Sequence, residues 1–144
     1  MTTISSKRLM YDIKKLRNHD CNLEIDNNIV KFDIHGPEDT PYYGGKWKIQ
    51  IIIGKNYPFK SPSVGFITPI YHPNIDEHSG SICLNVLNQT WTPIYTLEHI
   101  LVTFIPQLLT YPNPNDPLNI EAAELLMRNP IKYNEYIKSK NYCG

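Results

Sequence analysis

The chain of 144 residues is 41% hydrophobic and 19% charged, the proportions of one ordinary globular domain, and it is too short to divide into two. Fourteen Lys and Arg balance fourteen Asp and Glu, so no strong net field is available to hold nucleic acid or an acidic membrane surface. A core of this size needs neither metal nor disulfide staples, and the expected partners are proteins or small molecules.

Met1 to Arg8 lack the apolar run of a signal peptide, and no stretch approaches the roughly 18 apolar residues that span a bilayer, so an intracellular protein without a membrane anchor is expected. Lys7 to Leu16 reads as a helix, because Leu9, Ile13 and Leu16 share one face, and Ser6 is a candidate N-cap. Asp26-Asn27-Asn28 reads as a turn. From Val30 the period changes to two, with Val30, Phe32 and Ile34 facing one way and Lys31, Asp33 and His35 the other. Trp47, Ile49, Ile51 and Ile53 repeat the alternation, and Val64-Gly65-Phe66 makes a shorter strand. The early half is therefore an antiparallel meander.

Between Thr68 and Thr96 neither period is sustained, yet the stretch carries His72, His78, Cys83 and Trp91 among several prolines and apolar residues. A long irregular segment of this composition is expected to pack on the sheet and expose selected groups. Leu97, Ile100, Leu101, Phe104 and Leu108 then predict a buried helix, bent near Val102 because Pro106 removes one bond. Tyr111 to Pro117 cannot be helical. Two short helices follow, with Asn119 and Asn129 as caps and Pro130 at a first helical position. The whole is an α+β domain.

Cys21, Cys83 and Cys143 are an odd number of thiols far apart, which argues against a secreted disulfide framework. Cys143 lacks the following residues of a prenylation box. Cys83 has two readings: a nucleophile in a loop, or a small buried hydrophobe between Ile82 and Leu84. His72 could serve it as a base in a cysteine hydrolase, but no protease signature surrounds Cys83. His72, His78 and Cys83 lack the spacing of a zinc site, and Gly44-Gly45-Lys46 lacks the upstream glycine of a phosphate loop.

Taken together, His72-Pro73-Asn74, Gly80-Ser81-Ile82-Cys83-Leu84 and Trp91-Thr92-Pro93 resemble the catalytic segment of ubiquitin-conjugating enzymes. Tyr57 to Pro62, the Gly36-Pro37 to Gly44-Gly45 segment and Asn113 to Leu118 extend the resemblance over nearly all of residues 1–144, as one catalytic core domain. Asn88 to Trp91 and Pro106 to Leu109 are most similar to the H-type branch.

The resemblance implies a helix, a four-stranded antiparallel meander and C-terminal helices. It also implies that Cys83 accepts ubiquitin as a thioester from an activating enzyme and passes it to a substrate lysine, usually with a ligase. No cofactor is implied, since ATP is consumed by the upstream enzyme. Asn74 is expected to stabilise the tetrahedral oxyanion, with bracing of the active-site loop as the alternative. Asp116 is expected to orient and deprotonate the attacking lysine, with a solvated turn residue as the alternative. Phe59, Pro93 and Ile94 are the implied ligase patch, and Lys7 and Arg8 the implied basic contacts to activating enzyme and ligases. The expected partners are ubiquitin, these enzymes and protein substrates; a monomer that binds neither nucleic acid nor membrane is expected.

A binding-only relative would lack the nucleophile, whereas Cys83 stands in register with Asn74 and Trp91. Asn74 precedes Cys83 by nine positions, one more than in many members. Asn85 stands where many members carry Asp, which removes a charge beside the thioester. Tyr11 replaces a second basic residue of the first helix.

Overall fold

The computed structural model describes residues 3–140 and places them as helix α1 (Thr3–Leu16), strands β1 (Glu24–Asp26), β2 (Ile29–His35), β3 (Lys46–Ile52) and β4 (Ser63–Phe66), then helices α2 (Leu84–Thr90), α3 (Leu97–His99), α4 (Ile105–Thr110), α5 (Ile120–Arg128) and α6 (Pro130–Ser139). Cys143 lies outside the described residues. The strands form one antiparallel sheet in the order β1-β2-β3-β4. Its register stacks the apolar positions: Val30 faces Ile51, Phe32 faces Ile49 and Ile34 faces Trp47, while Ile49 and Ile51 face Phe66 and Val64. All of these are buried in one apolar cluster with Leu9 and Leu16 of α1 and with Leu97, Ile100, Ile105 and Leu108. The period-two pattern thus sets the register, because a one-residue slip would turn every one of these side chains to water.

Two local expectations are corrected. The first helix begins at Thr3, so Ser6 lies inside it and is not its cap. Asp26 closes a short strand instead of opening a turn: it pairs with Ile29 around Asn27-Asn28, where Asn27 takes a left-handed φ of 54° that suits a two-residue hairpin. β1 carries no buried residue, so no alternation marked it.

The bend at Pro106 takes the form of a π-helical turn, Ile100–Phe104, joining α3 to α4. The wider turn accommodates the bond that Pro106 cannot make to Val102. Asn119 and Asn129 cap α5 and α6 by accepting from the backbone N–H of Ala122 and Lys132, both at 3.1 Å, and Pro130 opens α6.

The stretch expected to be irregular is partly ordered. It lies along the β4 edge, where the Phe66 N–H donates to Gly80 O at 2.7 Å and the Ile82 N–H to Val64 O at 3.3 Å. Cys83 then leads directly into α2, a two-turn helix that seats Leu87 in the core. Four asparagine, glutamine and threonine positions in seven residues hid this helix, since asparagine and threonine in particular favour caps and turns over helix interiors.

Candidate active site

Cys83 is 7% exposed but stands outside the apolar cluster that includes Cys21. Burial therefore describes both thiols while their surroundings differ. Burial raises the pKa of the Cys21 thiol above its ordinary value, with the more distant charges of Asp33 and Asp20 adding to it. The Cys83 thiol instead points at a carboxylate: Sγ donates to Asp116 Oδ2 at 3.7 Å. The same oxygen accepts from Asn85 Nδ2 at 3.4 Å.

Three segments meet at this point. The Cys83 N–H donates to Asn74 O at 2.9 Å, which fixes the cysteine to the His72-Pro73-Asn74 turn. The fully buried Asn74 side chain then holds the segment that carries Asp116. Its Nδ2 donates to Asn113 O at 2.7 Å and to Asp116 O at 3.1 Å, and its Oδ1 accepts from the Asn113 N–H at 2.8 Å. Pro73 O accepts from Leu118 N–H and Asn119 N–H at 2.8 and 3.0 Å, closing the far end of the loop. The Asn113 to Pro117 loop, which no helical or strand pattern organises, is thus held by side-chain and main-chain bonds from a turn some forty residues earlier.

His72 cannot be the base of a cysteine hydrolase. Its Nδ1 accepts from the Asn74 N–H at 3.0 Å, so Nε2 carries the proton and donates to Leu108 O at 2.8 Å. Both nitrogens are engaged in a completely buried site, and burial lowers the pKa to about 4, only partly opposed by the bond to Leu108. The ring is a neutral strut between the turn and α4. His78 is exposed, and among the described residues no group of three His, Cys, Asp or Glu is placed to hold a metal.

The remaining candidates lie on loops and on α1. Phe59 and Ile94 are 72% and 86% exposed, and Pro93 is also exposed. Their loops are tied together where Trp91 Nε1 donates to Pro58 O at 2.8 Å and Ser61 Oγ to Asn88 Oδ1 at 3.0 Å. Lys7 is exposed on α1, whereas Arg8 is turned inward as a clamp. Arg8 Nη1 donates to Pro93 O at 2.8 Å, Nη2 to Tyr95 O, and Nε to Asp12 Oδ1 at 3.1 Å. The fully buried Asp12 also accepts from the Tyr57 hydroxyl. Burial, reinforced by Asp12, raises the Tyr57 pKa and keeps that hydroxyl a donor. Sequence reasoning assigned no role to Asp12 or to the Tyr57 hydroxyl, and treated Asn85 only as the loss of a charge near Cys83. A signal for Asp12 was present: it sits three residues after Leu9 and four before Leu16, on the helix face that should have been apolar.

The chain is similar to known proteins over nearly its whole length. Residues 6–141 match the family model described as ubiquitin-conjugating enzyme. The chain is 51% identical to ubiquitin-conjugating enzyme E2 5 of Arabidopsis thaliana, over 96% of this chain and 75% of that protein. It is 47% identical to ubiquitin-conjugating enzyme E2-24 kDa of Saccharomyces cerevisiae, over 93% of this chain and 63% of that one. Among solved structures, the E2 domain of a Toxoplasma gondii ubiquitin conjugating enzyme superposes with a TM-score of 0.82 at 30% identity, covering 94% of each chain.

Proposed function

Because the chain belongs to the ubiquitin-conjugating enzyme family, and so works through a cysteine thioester, we propose that Cys83 is the residue that carries the ubiquitin. The observation that supports this most is the thiol aimed at the Asp116 carboxylate, 3.7 Å away, outside the apolar core that encloses Cys21. In charging, the Cys83 sulfur attacks the thioester on the activating enzyme, the new S–C bond forms, and the departing sulfur of that enzyme takes up the thiol proton. In discharge, a substrate amine attacks the carbonyl carbon, the C–S bond breaks, and the Cys83 thiol is regenerated. The acyl group arrives already activated, so a strong neighbouring base is unnecessary, which agrees with a His72 committed to the fold. We read the chain as needing no cofactor of its own for the same reason.

Asp116 is assigned to the amine. A free lysine, with a pKa near 10.4, is mostly a cation at neutral pH and must lose a proton to become a nucleophile. Asn74 is assigned as a positioning residue. Its two donors and its oxygen already hold the loop, so serving the oxyanion would require giving up a carbonyl at Asn113 or Asp116.

Ubiquitin, an activating enzyme and ligases are the partner classes of the family. For this chain we assign the exposed Phe59, Pro93, Ile94 and Lys7 to the face that meets ligases or the activating enzyme, with Arg8 holding that face from behind. We further assign residues 1–144 to one catalytic core domain, working as a monomer inside the cell, in cytoplasm or nucleus, where ATP-driven activation of ubiquitin takes place.

Charging with ATP, activating enzyme and ubiquitin tests the central assignment. A ubiquitin adduct cleaved by reductant is expected, lost in Cys83→Ala and retained in Cys21→Ala and Cys143→Ala. Cys83→Ser is expected to give a slower, reductant-resistant oxyester, because an alkoxide leaves far less readily than a thiolate. Normal charging of Cys83→Ala would refute the assignment.

A further inference from the structure

The Asp116 carboxylate is restrained unequally. Its main chain is fixed by Asn74, whose Nδ2 donates to Asp116 O at 3.1 Å. Its side chain is held through a single oxygen, Oδ2, which accepts from the Cys83 thiol at 3.7 Å and from the Asn85 amide at 3.4 Å. One of these donors is consumed by the reaction. When ubiquitin transfers to Cys83, the S–H bond is replaced by an S–C bond and the proton leaves with the activating enzyme's sulfur. In the charged enzyme the sulfur has nothing left to donate, while the amide of Asn85 is chemically unchanged.

We infer that Asn85 is a positioning residue for aminolysis: it anchors the Asp116 carboxylate beside the sulfur after the thiol proton that shares the same oxygen has gone. The inference rests on the reading of Cys83 as acyl carrier and Asp116 as the group that handles the amine. Asn85 is well placed for the task because it lies in the first turn of α2, whose start is fixed by the Leu87 N–H donating to Cys83 O at 3.2 Å. An amide also suits the chemistry. It donates without a charge, so Asp116 keeps its full attraction for the substrate ammonium, whereas a cation at this position would neutralise it. With Oδ2 held by Asn85, Oδ1 is free to face the incoming amine. The ammonium passes one proton to Oδ1, its nitrogen bonds to the thioester carbon, and the C–S bond breaks as the departing sulfur takes up a second proton from that nitrogen to return the thiol. The thiol can then donate to Oδ2 again.

The test is single-turnover discharge of isolated ubiquitin thioester to free lysine and, separately, to free cysteine, whose thiol needs no ammonium deprotonated. Wild type, Asn85→Ala, Asp116→Ala and the double variant are compared. Asn85→Ala is expected to lower the ratio of lysine to cysteine discharge by roughly three- to tenfold, the scale of one lost hydrogen bond. In the Asp116→Ala background the same substitution is expected to add nothing, because the group it positions is absent. Asn85→Gln, which keeps the donor, is expected to recover part of the loss. Equal slowing by Asn85→Ala with and without Asp116, an unchanged ratio, or equal loss toward both nucleophiles would each overturn the inference. Failure of Cys83 to form the thioester, or an Asp116→Ala protein with normal lysine discharge, would overturn the underlying reading as well. Thioester formation on Cys83 together with slowed lysine discharge in Asp116→Ala confines a negative outcome to Asn85 alone.

Discussion

An amide side chain offers two N–H donors and one oxygen, and at Asn74 each is bonded to the segment that presents Asp116. Removing it leaves the carbonyls of Asn113 and Asp116 and the N–H of Asn113 without these partners in a partly buried place, at a cost of about 1 to 3 kcal/mol. Asn74→Ala is therefore expected to lower both thermal stability and lysine discharge, whereas a pure oxyanion donor would lower discharge by about 10² or more with stability intact. Thermal melts beside single-turnover assays separate the two. Asp116→Ala is expected to slow discharge most at neutral pH. The deficit should shrink as pH approaches the amine's pKa near 10.4, because more lysine is then neutral unaided. A pH-independent deficit would remove the proton-handling role. The sequence singles out Cys83, Asn74 and Asp116 through family motifs, and hydrogen bonds bring the three residues together in the fold. The direction in which the Asn74 amide points was not legible in the sequence, because it depends on where residues 113–116 come to lie.

At the level of elements, the stretch that leads into Cys83 keeps its place through the β4 edge, and one residue there has no substitute. Gly80 has φ +76°, and a Cβ built on it would stand 1.9 Å from Phe66 O, against main chain that cannot move aside. Gly80→Ala is expected to destabilise the protein by more than the roughly 1 to 2 kcal/mol of a left-handed conformation alone, read from denaturant unfolding. The exposed loops that carry Phe59 and Pro93-Ile94 obey a different logic. Phe59 is exposed, so Phe59→Ala should leave the fold intact and weaken ligase-stimulated discharge by ~2 kcal/mol or more while sparing uptake from the activating enzyme. Equal loss of both would count against the patch. Arg8→Ala should behave otherwise: it frees the Pro93 and Tyr95 carbonyls and leaves the buried Asp12 without its cation, so stability falls with both activities. The strands of the meander were legible because alternation reports burial on one face. β1 and α2 escaped because the first buries nothing and the second is two turns long with polar residues at most positions.

Across the whole molecule, His72 is the strut that joins the His72-Pro73-Asn74 turn to the C-terminal helices, through Asn74 N–H on one side and Leu108 O on the other. Its position eleven residues before Cys83 in the chain invites a chemical reading, and only tertiary contacts assign the ring to the fold. The buried Tyr42 extends the same connection, its ring 6.1 Å from His72 and its hydroxyl donating to Tyr71 O at 2.6 Å. A buried neutral imidazole links this architecture to pH. The folded pKa of about 4 lies below the ordinary value of 6.5, so between the two the unfolded chain binds more protons than the folded one. The stabilisation from His72 is accordingly complete above pH 6.5 and is lost as pH falls toward 4, with a slope of at most about 1.4 kcal/mol per pH unit. Most carboxylates titrate below pH 5, so the window from 5 to 6.5 isolates histidine. In that window the wild type is expected to lose stability on acidification, and His72→Gln, though weaker overall, is expected to show a flatter dependence. Denaturant unfolding at half-unit pH steps measures both slopes. Parallel slopes would mean that His72 is not the proton-binding group, and that the strut holds the turn without coupling it to pH.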